Sequence, residues 1–196
     1  MNSEFLKKLQ DISGDSSLIT GGSVKERKAG IWIDEPIGAS AIVRPKSTKE
    51  VSQILTLCNE SKVEVVTQGG LTGLSQGAIA NKNQLALSTE LMTDIEEIDL
   101  YGRTMTAQSG VKLQTIQEVS EQNNMFFPLD LGARGSCSIG GNASTNAGGN
   151  KVIRYGMTRE LILGLEAVLA DGTIISSMNK MLKNNTGYDL KQLFIG

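Results

Sequence analysis

The sequence predicts an α+β fold built from two subdomains, and three observations predict it. An apolar strand, a capped amphipathic helix and a second apolar strand succeed one another between residues 41 and 67. Near Tyr101 the pattern changes to helix, long glycine-rich loop and hairpin, which suits a mainly antiparallel unit. Two glycine-rich loops, 68–77 and 132–149, carry too little apolar surface to form a core alone and must fold closely against something else. The expected organisation is an N-terminal helix and extended lead-in over 1–40, a first subdomain over 41–100 and a second over 101–196.

In chain order, Phe5, Leu6, Leu9 and Ile12 repeat at helical spacing and predict a helix over 3–12. Residues 13–36 are polar and weakly patterned and read as extended, with Trp32 as a packing anchor. A strand from Ala41 ends at Pro45, and Ser47-Thr-Lys-Glu50 has the spacing of a capping box. Val51, Ile54, Leu55 and Cys58 continue that helix to about Glu60, and Val63–Thr67 is the return strand. Further strands are expected at 84–88, 95–100 and 104–108, the last two joined through Tyr101-Gly-Arg103, with Glu96 and Glu97 on a solvated edge. Leu113, Ile116 and Val119 predict a helix over 112–123, and 161–170 with 173–176 form a hairpin about Asp171-Gly172.

Composition narrows the function classes. Apolar residues are 39% of the 196, charged residues 20%, and the net charge is −2, an ordinary globular balance. The 19 Lys and Arg are scattered and aromatics are 4%, so nucleic acid is not an expected partner. No apolar run is long enough to span a bilayer, and the N-terminus reads as neither leader nor anchor, which makes a cytoplasmic location the expectation. Two cysteines, Cys58 and Cys137, suit a reducing compartment. The chain has no histidine, hence neither the commonest general base nor the commonest metal ligand, and no metal site is expected.

The first loop, Gln68-Gly-Gly-Leu-Thr-Gly-Leu-Ser-Gln-Gly77, follows a strand where a phosphate-binding turn sits. Gln68 stands where a dinucleotide fingerprint needs its first glycine and a strand follows instead of a helix, which disfavours an NAD-binding module. No Gly-Lys-Ser/Thr follows either. Taken alone, the loop reads equally as a long turn or as a run of anion-binding backbone donors. The second loop, with its Ser, Thr and Asn, tips the reading toward a ligand with a diphosphate and a flat ring system lying between two subdomains.

Val43-Arg-Pro-Lys-Ser-Thr-Lys-Glu-Val51, Gln68-Gly-Gly-Leu-Thr-Gly73, Pro128-Leu-Asp-Leu-Gly132, Ile139-Gly-Gly-Asn-Ala-Ser-Thr-Asn-Ala-Gly-Gly149 and Arg154-Tyr-Gly156 together resemble the FAD-binding domain of the vanillyl-alcohol oxidase type (PCMH-type) flavoproteins. Within that family the chain is most similar to the FAD-linked D-2-hydroxyacid dehydrogenases, which include D-lactate and D-2-hydroxyglutarate dehydrogenases and the glycolate oxidase flavoprotein subunit. The resemblance covers about Ala41–Gly196 and implies that the second subdomain, 101–196, is incomplete. It implies a diphosphate on the backbone of Gln68, Gly69, Gly70, Leu71, Thr72, Gly73 and Leu74. It implies an isoalloxazine and ribityl side lined by Pro128, Asp130, Ser138, Gly140, Gly141, Asn142, Thr145, Asn146 and Gly148, and Ile174 near the adenine end.

Many such relatives attach FAD through a histidine of the first loop. Leu71 stands beside that position here, so FAD is expected to be non-covalent. Cys137 is expected as a small buried thiol, Asp130 as an acceptor of backbone hydrogen bonds, and Arg154 as a partner of a phosphate or a carboxylate. In the family, the substrate-binding arginine, metal-binding histidines and catalytic base lie beyond the segment matched by Gly196, so no catalytic residue is assigned. The expectation is the FAD-binding portion of a D-2-hydroxyacid dehydrogenase passing electrons to a separate acceptor, with the small 2-hydroxy acid bound only when a C-terminal part is present. The alternative is a cofactor-free binding module that self-associates as a homo-oligomer through the edge left bare by missing strands.

Overall fold

The computed structural model describes all residues, Met1–Gly196. It is a mixed α+β chain that divides into two compact units, Met1–Met92 with Val168–Ile174, and Thr93–Ala167 with Ile175–Gly196.

The first unit is built on α1 (Ser3–Ser13), β1 (Leu18–Thr20), α2 (Gly22–Lys25), β2 (Lys28–Gly30), β3 (Ile33–Pro36), β4 (Ala41–Val43), α3 (Thr48–Glu60), β5 (Val65–Gln68) and β6 (Leu85–Ser88). Its main sheet has the order β1-β4-β6-β5. β6 runs parallel to both neighbours, with Ala86 opposite Ile42 on one side and Val66 on the other. The β4-α3-β5 unit read from the sequence is therefore present, but its strands are not adjacent, since β6 inserts between them. Every residue of β4 and β6 is buried. Alternation still assigns faces: Ala41, Val43, Leu85 and Leu87 join Phe5, Leu9, Ile54 and Cys58 in one cluster, while Ile42 and Ala86 join Val24, Ala29, Ile37 and Ala80 in another. A central parallel strand buried on both sides has no reason to alternate polar and apolar residues, and these two do not.

Both long helices of this unit end where the local chemistry says they should. The Asn2 side chain accepts the Phe5 N–H (2.8 Å) at the start of α1, and Gly14, at φ 81°, closes it. Ser47 Oγ accepts the Glu50 N–H (3.2 Å), while the Glu50 carboxylate reaches back to the Lys46 N–H (2.9 Å), one residue further than the usual capping box. Residues 13–36 differ from the expected extended lead-in: they hold a 3-10 turn, β1, α2 and the β2–β3 hairpin. β1 pairs antiparallel with β4 and so adds an edge strand that short, weakly apolar Leu18-Ile-Thr20 does not advertise.

Glu90, just past β6, ties this region together. Arg27 forks onto it with two bonds of 2.8 Å and Arg44 adds a third of 3.1 Å. Burial alone raises the Glu90 carboxyl, but the bonds and charges of the two arginines outweigh it and hold the group below its ordinary value.

The second unit contains β7 (Ile95–Asp99), β8 (Thr104–Ala107), α4 (Leu113–Gln122), α5 (Ile139–Ser144), α6 (Val152–Tyr155), α7 (Thr158–Leu161) and most of β9 (Leu165–Val168) and β10 (Ile174–Ser177). β7 and β8 form the expected hairpin, in which the Asp99 carboxylate accepts the Tyr101 and Gly102 N–H groups. Leu113, Leu129 and Cys137 are the buried centre of this unit. Residues 161–164, expected as strand, end α7 and lead into β9.

The Asp171-Gly172 turn belongs to the first unit and seats on α3. Ser52 Oγ donates to the Gly172 carbonyl (2.6 Å), and Gly172 has φ +89°. A Cβ there would stand 2.0 Å from Thr56 Oγ1.

Two outcomes follow from these contacts. Gly172→Ala meets both a left-handed backbone and a collision, so it should destabilise the fold by about 2–4 kcal/mol, read from urea unfolding; a loss near zero would show that the turn does not bear on α3. Glu90→Gln should cost about 1–3 kcal/mol at pH 7. Because the folded carboxyl titrates below its unfolded value, its contribution is complete above about pH 4.3 and is lost as pH falls through the depressed value. The gap between wild type and Glu90→Gln should therefore close in acid, and an equal gap at pH 3 and pH 7 would contradict the assignment.

Candidate functional site

The first loop leaves β5 at Gln68, whose buried side chain donates from Nε2 to the Ala78 carbonyl (2.8 Å) while its own carbonyl accepts the Thr89 N–H (2.9 Å). Gln68 is thus the staple across the loop base and spends its amide on the protein. Between those anchors, none of the N–H groups from Gly69 to Ala78 donates a hydrogen bond within the chain. Leu71 and Gln76 adopt the left-handed conformation, at φ 54° and 61°. Nothing lies within 4 Å of the position a Cβ would take on Gly73, and Leu74 is 78% exposed. Backbone with free donors and small side chains facing open space is suited to an anion with several oxygens, a diphosphate among them.

The second loop is held differently. Residues 109–113 and 137–140 run side by side: the Leu113 N–H donates to Cys137 O, the Ile139 N–H to Val111 O and the Gly140 N–H to Ser109 O, at 3.2, 2.9 and 2.8 Å. Ser138, buried, accepts the Gly141 N–H on its Oγ (3.4 Å) and starts α5. The sequence predicts a loop here, because Gly-Gly-Asn is poor helix material. The cap and the burial of Asn142 and Ala143 outweigh that preference. Ser144 and Thr145 donate their hydroxyls back to the Gly140 and Gly141 carbonyls, at 2.8 and 2.9 Å. Asn146, at φ 47°, ends the helix and accepts the Arg159 N–H on Oδ1 (2.9 Å). Of the expected contacts in this loop, Asn142 stands out: its side-chain Oδ1 is buried and has no partner. A buried acceptor left unpaired costs stability unless something donates to it, and a heterocyclic N–H would.

Pro128–Leu131 passes beside the far end of that loop. Gln117 Nε2 donates to Leu129 O (2.7 Å), and a Cβ on Gly149 would stand 1.8 Å from the Asp130 carbonyl oxygen, so glycine is required for the two arms to meet. Gly148 packs against Met157 and Val152. Asp130 departs from expectation. Its carboxylate pairs with Arg134 (3.2 Å) and Lys151 (3.4 Å) rather than with backbone N–H groups, because both cations lie within reach across the arms.

Other expectations divide the same way. Cys137 is a buried thiol, as expected, and burial pushes the thiol of the other cysteine, Cys58, up to about 11, which leaves it a poor nucleophile. Arg154 lies over the Tyr155 ring, 5.1 Å from its centroid, rather than against a carboxylate. Trp32 is not a packing anchor: it is 75% exposed. Ile174 starts β10, half exposed. Glu97, expected on a solvated edge, is exposed and pairs with Lys180 (2.7 Å). No cluster of three or more Cys, Asp or Glu could hold a metal, and no helix is long and apolar enough to cross a membrane. The residues that sequence reasoning missed are Ile31, whose N–H donates to Leu71 O (3.2 Å), and Arg159, which holds Asn146. Neither bond has a sequence signal, since each joins segments far apart in the chain.

Comparison with known proteins shows the family. A family profile described as an FAD binding domain matches residues 39–177. The chain is 43% identical over 193 residues to the Danio rerio protein named D-2-hydroxyglutarate dehydrogenase, mitochondrial, covering 95% of this chain and 36% of the relative. A Schizosaccharomyces pombe protein with the provisional name D-lactate dehydrogenase, mitochondrial, is 42% identical over 192 residues, covering 94% of this chain and 36% of its own length. The chain thus spans about a third of the relatives it matches. Among solved structures, alkyldihydroxyacetonephosphate synthase superposes with a TM-score of 0.86 at 17% identity, over all of this chain and 38% of that one, which speaks to the fold alone. The cytoplasmic location expected from composition is overturned, because both of these relatives are named as mitochondrial. With the profile spanning most of its length, the chain belongs to the FAD binding domain family of PCMH-type flavoproteins, and FAD is its cofactor.

Proposed function

We propose that this chain is the cofactor-holding portion of a flavoenzyme that oxidises a D-2-hydroxy acid of the lactate, glycolate or 2-hydroxyglutarate class and passes the electrons to a separate acceptor. The observation that carries the reading is the 43% identity to a D-2-hydroxyglutarate dehydrogenase along nearly the whole chain, on a site whose free backbone donors suit the cofactor. Bound FAD supplies the two-electron acceptor for hydride leaving the hydroxyl-bearing carbon.

The chain's own residues bind and orient. The N–H groups of Gly69–Leu74 face the diphosphate charge, and the Gln68 amide keeps the loop open by holding Ala78. Pro128, Ser138, Gly140, Gly141, Thr145, Asn146 and Gly148 shape the isoalloxazine and ribityl side, where bulk would keep a planar ring away from the backbone. The Asn142 Oδ1 offers its unpaired acceptor to a ring N–H. Asp130, paired with Arg134 and Lys151, positions the Pro128–Leu131 arm. Ile174 lies toward the adenine end. No residue of this chain is assigned as acceptor of the substrate's hydroxyl proton.

Purified with added FAD and desalted, the chain should retain a flavin spectrum and release free flavin on denaturation; a colourless protein would sink the reading. A stable oligomer by size exclusion that ignores FAD would favour the cofactor-free module instead. Gly73→Ala adds a methyl group where the fold has open space, so the melting temperature should stay within about 2 °C while FAD binds roughly ten-fold more weakly. Unchanged affinity would move the diphosphate off this loop.

A further inference from the structure

The β2–β3 turn lies ahead of the profile-matched span and carries Ile31 and Trp32, the only tryptophan of the chain. Both side chains are exposed, Trp32 at 75%, although Ala29 of β2 and Ile37, just past β3, are buried in the core. An indole left in solvent loses the large area gain that normally places it in a core or against a partner.

The turn is built onto the first glycine loop. The Ile31 N–H donates to Leu71 O at 3.2 Å. A Cβ on Gly30 would touch that same carbonyl oxygen at 3.4 Å, and Ile33 and Leu71 pack on one shared cluster. Leu71 sits at φ 54°, a conformation unfavourable for a residue with a branched side chain and sustained only where neighbours hold it. Ile31 is that neighbour: it takes the Leu71 carbonyl and leaves the loop's N–H groups free. Trp32 follows Ile31 directly, so the indole is borne on the same turn whose backbone holds Leu71.

We infer that the β2–β3 turn is part of the cofactor site, Ile31 fixing the loop backbone and Trp32 forming an aromatic wall for a flat ring joined to the diphosphate. FAD carries such a ring at each end, adenine and isoalloxazine, and both present a π face to an indole. The inference rests on the reading that Gly69–Leu74 hold the diphosphate.

Calorimetric titration of FAD into wild type, Trp32→Phe and Trp32→Ala tests it. Trp32→Ala should bind about 5- to 100-fold more weakly with an unchanged melting temperature, and Trp32→Phe should stay within a few-fold of wild type. Wild-type affinity in Trp32→Ala overturns the aromatic wall while leaving the diphosphate reading intact; absence of FAD binding by wild type overturns both. Acrylamide quenching of the single indole, corrected for its lifetime, needs no variant. Saturating ADP that shields Trp32 assigns the adenine ring, FMN that shields it where ADP does not assigns the isoalloxazine, and shielding by neither removes Trp32 from the site.

Discussion

A backbone segment that leaves its N–H groups unpaired must be held from outside itself, since it has no ladder of its own to keep it in shape. Gly69–Ala78 is such a segment, and most of the first unit bears on it. Gln68 closes its base by reaching Ala78, Thr89 fixes the Gln68 carbonyl, and Ile31 fixes Leu71. Behind them, β5 is registered on β6, and β6 on β4, through strands buried on both faces.

The second loop solves the same problem with a short helix. Its donors are largely consumed, by Ser109, Ser138 and the helix itself, and what remains unpaired is a side-chain acceptor, Asn142 Oδ1. The two loops therefore present opposite polarity, backbone donors at one and an amide oxygen at the other.

The parts legible in the sequence were those governed by neighbours in the chain. The Ser47 cap, the periodicity of α3 and α4, the Asp99 and Asp171 turns and the apolar strands all depend on residues a few positions apart. What escaped depends on distant partners. Nothing in Val63–Thr67 or Ala41–Val43 says that Leu85–Ser88 lies between them. Residues 13–36 read as an extended lead-in because their strands are three or four residues long and are held by distant partners, β4, Leu71 and Glu90 among them. Asp130 was misread for the same reason, since Lys151 is twenty-one positions away. The two glycine-rich loops were legible because small residues in a long run are themselves the signal, whereas the Ile31 bond to Leu71 carries no such mark.

The insertion of β6 between β4 and β5 has a consequence for the growing polypeptide. β5 pairs with no strand but β6, and β4 has until then only the short β1 beside it. As the chain leaves the ribosome, α1 and α3 have formed their apolar faces before Leu85–Ser88 exists to complete the layer beneath them. The middle strand of the sheet is the last to be made, so the first unit assembles around an arriving centre rather than outward from an early one, and its uncovered strand edges are the surface that a chaperone would have to shield in that interval.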